Sequence, residues 1–150
     1  MYRDIGMTGT RDGMTLQQQG VFTQILRDFY SDEIEFFGQD VEQRFHHGDC
    51  IGADAEGHDI AKEVGYVIVI HPPEKDEVRA RCVSENMWPE KGYFARNRDI
   101  VDFSEFMLAT PVTEFETKGG TWYTINYAKK KNKPLCIVYP SGKVERHNIG

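Results

Sequence analysis

Apolar and polar positions come in blocks along the chain, and their period changes from block to block. Residues 2–8 read as a short strand. The run Thr8-Gly9-Thr10-Arg11-Asp12-Gly13 follows, and two glycines around Thr-Arg mark a tight turn. Thr15 is placed to cap a helix. Val21, Phe22, Ile25, Leu26 and Phe29 then recur on one apolar helical face, while Gln17, Gln18, Gln24, Arg27 and Asp28 fall elsewhere. The first unit is therefore strand, glycine turn, amphipathic helix.

The plan repeats. Residues 43–47 form a weaker strand signal, and the glycine turn 48–54 follows. A helix runs through Ala55, Ile60, Ala61 and Val64 and ends at Gly65, a residue type suited to the position after a helix. Val67-Ile68-Val69-Ile70 is a continuous apolar run, as in strands buried on both faces of a parallel sheet. His71-Pro72-Pro73 stops it. Residues 74–92 have no clean period, and an irregular segment of that length is uncommon unless functional or mobile. A helical pattern resumes at 93–103 with Phe94, Asn97, Ile100 and Val101. Phe106-Met107-Leu108-Ala109 reads as a strand, Lys118 to Thr124 as a glycine turn, and 125–131 as a helix. Leu135-Cys136-Ile137-Val138 is the last strand, closed by Pro140-Ser141-Gly142. The tail from Lys143 either adds an edge strand or stays loose.

Strands alternating with helices predict an α/β fold with a mostly parallel sheet and helices on both faces. Right-handed crossovers reduce the topology to a five-stranded sheet of order 3-2-1-4-5, as a single domain over residues 1–150. Ligands bind such sheets outside the C-terminal strand ends, at the switch point, here between strands 1 and 4. All three glycine turns are thereby expected on one edge.

Composition narrows the function classes. The net charge is −6 and the sequence pI about 5.4. Nonspecific nucleic-acid binding needs a basic face, so this acidity disfavours it. The cluster Lys129-Lys130-Lys131 with Lys133 falls at a helix C-terminus, where the helix dipole alone favours lysines. No apolar run approaches the roughly 20 residues of a membrane span. No basic start leads into an apolar segment, so the expected location is the cytoplasm without a membrane partner. Cys50, Cys82 and Cys136 are an odd count without CxxC spacing, which is neither a disulfide framework nor a zinc ribbon.

The chemistry gathers at the turns. In Lys118-Gly119-Gly120-Thr121 a glycine pair before a helix leaves backbone N–H groups free for an anion, and Thr121 stands where a hydroxyl can cap. Its bland alternative is a plain turn in which the glycines only relieve sterics. Thr10-Arg11 offers a hydroxyl and a guanidinium that clamps a phosphate, or else a surface ion pair. Asp49 and Asp54 flank Gly52 at a helix start. They either accept ribose or base hydrogen bonds or cap the helix. Arg96 and Asn97 either turn toward the pocket or belong to a solvated helix. Adjacent His46 and His47 on a strand point to opposite faces and cannot share one metal ion, so no metal site is expected. No histidine or asparagine can be placed around Cys50 to make it a nucleophile, and no catalytic residue is assigned.

Together these residues resemble the SLOG superfamily, which unites the DNA-processing protein A family, the "lonely guy" phosphoribohydrolases and assorted nucleotide-ligand sensors. Gly9-Thr10-Arg11 resembles the family's first-strand turn. The stretch Gly48-Asp49-Cys50-Ile51-Gly52-Ala53-Asp54 with Ala61 is similar to its second glycine turn. Arg96-Asn97 with Ile100 resembles the R-N-R-x-I element of the DNA-processing branch, and Gly119-Gly120-Thr121 through Ala128 the GGxGTxxE element of the phosphoribohydrolases. The likeness runs from about Gly6 to Gly142 and looks nearest to small stand-alone bacterial or phage members. It implies a Rossmann-like domain that holds a nucleotide or nucleotide-derived phosphorylated ligand, with no other cofactor. A homodimer is the implied assembly. The ligand set it implies is Gly9, Thr10, Arg11, Gly48, Asp49, Gly52, Ala53, Asp54, Arg96, Asn97, Lys118, Gly119, Gly120, Thr121 and Thr124. In the phosphoribohydrolases a glutamate after GGxGT serves cleavage of the N-glycosidic bond. Thr124 stands at the matching position, or Tyr123 if the match slips by one, and neither is a carboxylate. The resemblance therefore implies ligand binding before catalysis. The alternatives are a hydrolase with a non-standard carboxylate at Asp49, Asp54 or Glu56, and a single-stranded DNA or protein-partner module.

Overall fold

In the computed structural model, which describes residues 2–149, seven strands form one sheet. They are β1 (Asp4–Gly9), β2 (Arg44–His47), β3 (Val67–Ile70), β4 (Asn86–Met87), β5 (Phe106–Thr110), β6 (Leu135–Val138) and β7 (Val144–His147), in the order β4-β3-β2-β1-β5-β6-β7. Only the β6–β7 pair is antiparallel. The helices are α1 (Leu16–Phe37), α2 (Ala53–Val64), α3 (Tyr93–Phe103) and α4 (Gly120–Lys130). None is long and apolar enough to cross a membrane.

The expected sheet of five strands in the order 3-2-1-4-5 is corrected to seven. The five expected strands keep their neighbours, as β3-β2-β1-β5-β6, and the additions lie at the two edges. β4 has two residues, too few to carry a period, and lies inside the segment read as irregular. β7 is the tail. It folds back at Gly142, whose φ of 90° suits glycine, and pairs Val144 with Val138.

Side-chain alternation along the strands sends residues to two cores. Ile5, Met7, Phe45, Ile68, Ile70 and Leu108 pack with Phe22 and Leu26 of α1. Met107, Ala109, Leu135 and Ile137 pack on the other face with Ile100, Val101, Trp122, Ile125 and Ala128. Phe22 and Leu26 of the predicted apolar face are fully buried, each worth roughly 1.5–3 kcal/mol of transfer free energy.

Thr15 caps α1 as expected. Its hydroxyl accepts the Gln18 N–H at 3.0 Å, and the Gln18 side chain accepts the Thr15 N–H at 3.0 Å. Gln18 is buried despite lying off the apolar stripe. Its amide donates to the carbonyls of Pro111 at 2.7 Å and Val138 at 2.9 Å, tying α1 to the ends of β5 and β6.

One helix start is corrected. α4 begins at Gly120 and its N-cap is Gly119, with no side-chain cap bond. Thr121 is already inside the first turn, so its hydroxyl is not the cap. The glycine pair lets the chain enter the helix directly, five residues before the apolar period becomes legible.

Candidate functional site at the β1–β5 switch point

β1 and β5 are neighbours, but the connection after β1 leads to α1 on one face and that after β5 to α4 on the other. A crevice opens between the two connections. It measures about 340 Å³ and is walled by Gly9, Thr10, Arg11 and Asp12 on one side, by 117–122 on the other, and by Tyr93 beneath.

The α4 wall is built from backbone. The first helical bond runs from Tyr123 N–H to Gly119 O at 2.9 Å. The amides of Gly120, Thr121 and Trp122 precede it and have no intrahelical acceptor. The partial positive end of the helix therefore points into the crevice, with Lys118 exposed beside it. Among the described residues the buried indole N–H of Trp122 has no hydrogen-bond partner. Nor has the buried hydroxyl of Thr110, which lies against Gly9.

The opposite wall is a locked turn. Thr10 takes the Asp12 N–H on its hydroxyl at 3.1 Å, and its carbonyl accepts the N–H groups of Gly13 at 3.2 Å and Ala53 at 2.9 Å. The 48–54 turn thus packs behind the first turn. A side chain on Gly52, at φ 87°, would come within 2.7 Å of the Thr10 carbonyl oxygen. Gly9, Gly52 and Ala53 are small so that these backbones can approach. Arg11 is exposed at the mouth, its guanidinium 5.4 Å from the centre of the Tyr93 ring.

Arg96 reaches the same ring from inside, at 5.1 Å. It is buried, and its donors are committed. It donates to the Asn97 side chain at 2.8 Å, to the His71 carbonyl at 3.1 Å and to the Gly48 carbonyl, and it touches the Cys50 sulfur at 3.5 Å. Arg96 and Asn97 line a narrow extension of the crevice with Gly9, Cys50 and Asp54. Arg96 therefore closes the floor by holding the ends of β2 and β3, and Gly48 lacks a side chain where that guanidinium lies. Asp54 accepts the N–H groups of Gly48 and Cys50, each at 3.2 Å. Burial pushes its carboxyl up to about 6, against the opposing pull of Arg96 and those two amides.

Two expected ligand residues face elsewhere. Asp49 is fully buried. Its carboxylate accepts Arg79 Nε at 3.1 Å and the Cys82 N–H at 2.9 Å, and its carbonyl the Ala80 N–H at 2.8 Å. It staples the 74–92 segment to the end of β2 rather than capping α2. Thr124 lies on the buried side of α4 and donates its hydroxyl to Gly120 O at 2.8 Å. Tyr93 is the site residue the sequence reading passed over. As the first residue of α3 it shares a face with Arg96 three positions on, and that i,i+3 relation was the available signal. Together with Arg11 it also lines a second, adjoining cavity of about 280 Å³ beside Pro73, Glu74, Lys75 and Val78.

The paired histidines diverge as the strand geometry requires. His46 Nε2 lies 2.9 Å from Asp4 Oδ1, and its Nδ1 2.9 Å from His71 Nε2. His47 turns to the α2 face, where donor atoms of His47, His58 and Cys82 lie within 4.8 Å of one another. That trio does not suit a metal. The Asp49 N–H points at His47 Nδ1 at 2.9 Å, so the one lone pair of the neutral ring is occupied and Nε2 carries the proton, facing His58 Nδ1 at 2.9 Å.

A mostly parallel sheet, helices on both faces and a crevice at the switch point define a Rossmann-like α/β fold. The molybdenum cofactor binding protein of the phototrophic bacterium Rippkaea orientalis superposes with a TM-score of 0.67 at 17% identity, over 93% of this chain and 77% of its own. The Moco carrier protein of Chlamydomonas reinhardtii gives 0.62 at 17% identity, over 91% and 76%. DNA processing protein A of Streptococcus pneumoniae gives 0.63 at 14%, over 91% of this chain and 50% of its own, so this chain spans half that protein's length. No protein-family model and no curated protein sequence matches the chain. At these identities the likeness concerns the fold.

Proposed function

We propose that this chain binds a nucleotide or nucleotide-derived phosphorylated ligand in the β1–β5 crevice, as a binding or sensing protein. The observation that carries the reading is the convergence of three unpaired α4 amides with Lys118 and Arg11 on one cavity. That arrangement offers an anion both backbone donors and mobile cations. The buried indole N–H of Trp122, a residue of the crevice wall, lacks a partner among the described residues and is a further donor. Two fold relatives are named for a molybdenum cofactor, which agrees with a small-molecule role. Calorimetric titration with mono-, di- and cyclic nucleotides and ADP-ribose derivatives tests the reading. Binding is expected to weaken about tenfold or more in Arg11→Ala, the loss typical of one charge-assisted contact. Absence of binding to the whole panel by folded protein sinks it.

Asp54 favours a second reading, cleavage of the bound nucleotide. Its carboxyl titrates near neutrality and lines the narrow extension of the crevice. Chromatography of nucleotides after incubation separates the two. Turnover that disappears in Asp54→Asn supports cleavage, and unchanged nucleotides leave binding alone.

A further inference from the structure

The 74–92 segment borders the second cavity through Glu74, Lys75 and Val78. Its later part pairs with β3 through β4, Ser84 and Trp88, while residues 79–82 are held by Asp49. Asp49 sits at φ 55°, a left-handed conformation that a non-glycine residue adopts at some cost. Its carboxylate and carbonyl hold Arg79, Ala80 and Cys82, while its own N–H donates to His47 Nδ1. That bond fixes the His47 tautomer with the proton on Nε2, which donates to His58 Nδ1. His58 must then carry its own proton on Nε2. The chain of donors is directional, from Asp49 through His47 to His58, and it ends on a lone pair.

The geometry points to an acid-operated latch, in which protonation of His58 at Nδ1 removes that terminal lone pair and frees residues 79–82 from Asp49, while β4 stays paired with β3. Protonated His58 presents an N–H to the N–H of His47 across 2.9 Å. Either the rings part, or His47 moves its proton to Nδ1, where it meets the Asp49 N–H instead. The first shifts the ring that accepts the Asp49 N–H and the second sets that N–H against another buried donor, and each loosens the residue that anchors 79–82. The groups facing His58 are Asp59 and Lys62 on its own helix, His47 and Asp49 from β2 and its turn, and Cys82 from the latched segment. Burial and Lys62 oppose the proton, and the two carboxylates favour it. The latch does not depend on which ligand occupies the crevice.

Hydrogen exchange compared at about pH 7.5 and about pH 5 reads the latch, because the ordinary histidine value falls in this range. Asp54, at about 6, changes charge there too, and the His58→Gln variant separates its effect. Protection factors at the Ala80 and Cys82 amides, corrected for intrinsic exchange, are expected to fall at least about tenfold on acidification, whereas Phe22 and Leu26 stay protected. In His58→Gln the amide oxygen accepts from His47 at every pH, so protection of Ala80 and Cys82 is expected to stay flat. An equal fall in that variant, or no fall in the unaltered protein, overturns the proposal. An independent reading uses the unaltered protein alone. The imidazole resonances of His58 titrate with a midpoint that must coincide with the loss of protection, and a mismatch overturns the latch as well.

Discussion

Two residues carry opposite kinds of constraint at the crevice. Gly120 is helical, and alanine there gains about 1 kcal/mol of helix propensity. Its added methyl group, however, overlaps the Tyr93 hydroxyl, and overpacking costs roughly 1–3 kcal/mol. The tyrosine can swing aside, so Gly120→Ala is expected to shift the melting temperature by only a few degrees while nucleotide affinity falls about tenfold. A variant that binds normally contradicts the role given to Tyr93. Asp54 is a constraint on ionisation. Its folded-state value of about 6 lies above the ordinary 3.8, so it takes up a proton on folding. Its stabilising contribution is complete below about pH 3.8 and is lost as pH rises to about 6. Asn keeps an oxygen for the Gly48 and Cys50 amides without that ionisation. Asp54→Asn is therefore expected to gain on the order of 2–3 kcal/mol over the unaltered protein between those two values, read from urea midpoints.

At the scale of elements, the glycine turns were legible because a missing side chain is a local requirement. Gly48, Gly52 and Gly120 each stand where a methyl group meets a neighbouring turn or side chain. Strands β1, β2, β3, β5 and β6 and all four helices were legible from period alone, with α4 misplaced at its start because the glycine pair carries no period. What stayed illegible was pairing at a distance. Nothing in Asp49-Cys50 marks Arg79 as the partner of Asp49, nor does the stretch before Arg96 say that its guanidinium is committed to two carbonyls. A short sequence pattern names donors and acceptors but not their partners. The Asp49–Arg79 pair also fastens residues 79–82 of the irregular segment. Asp49→Asn leaves the largely buried Arg79 guanidinium with only the more distant, exposed Glu90 carboxylate as a charged partner, at a cost of about 1.5–3 kcal/mol. The expected outcome is faster hydrogen exchange over 79–82 with α1 and β6 unaffected. Uniform protection along the chain rules out the staple.

Over the whole molecule, four buried histidines make acid a stress on the fold. His46, His47, His58 and His71 are all held below the usual histidine value, by burial first, and His71 is pushed down to about 3. The native state refuses protons that the unfolded chain accepts below about pH 6.5. Their stabilisation is complete above that value and is lost as pH falls through it. Asp54 acts in the other sense between about pH 6 and 3.8, one group against four. Net stability is expected to decline from about pH 6.5 toward pH 5 by up to roughly 1.4 kcal/mol per pH unit for each fully coupled histidine. Urea midpoints across that range measure it, and a flat profile refutes it.

The central place of β1 also governs the order in which the protein can be made. It is made before the other strands of the sheet, yet Ile5 pairs with Phe106, so one of its edges waits for about a hundred residues more. Until β5 is synthesised, β1 can pair only with β2, and the edge that β5 will cover stays bare. Nascent chains stopped before residue 106 therefore present a pairing edge that the finished protein hides, and they are the species most dependent on chaperones.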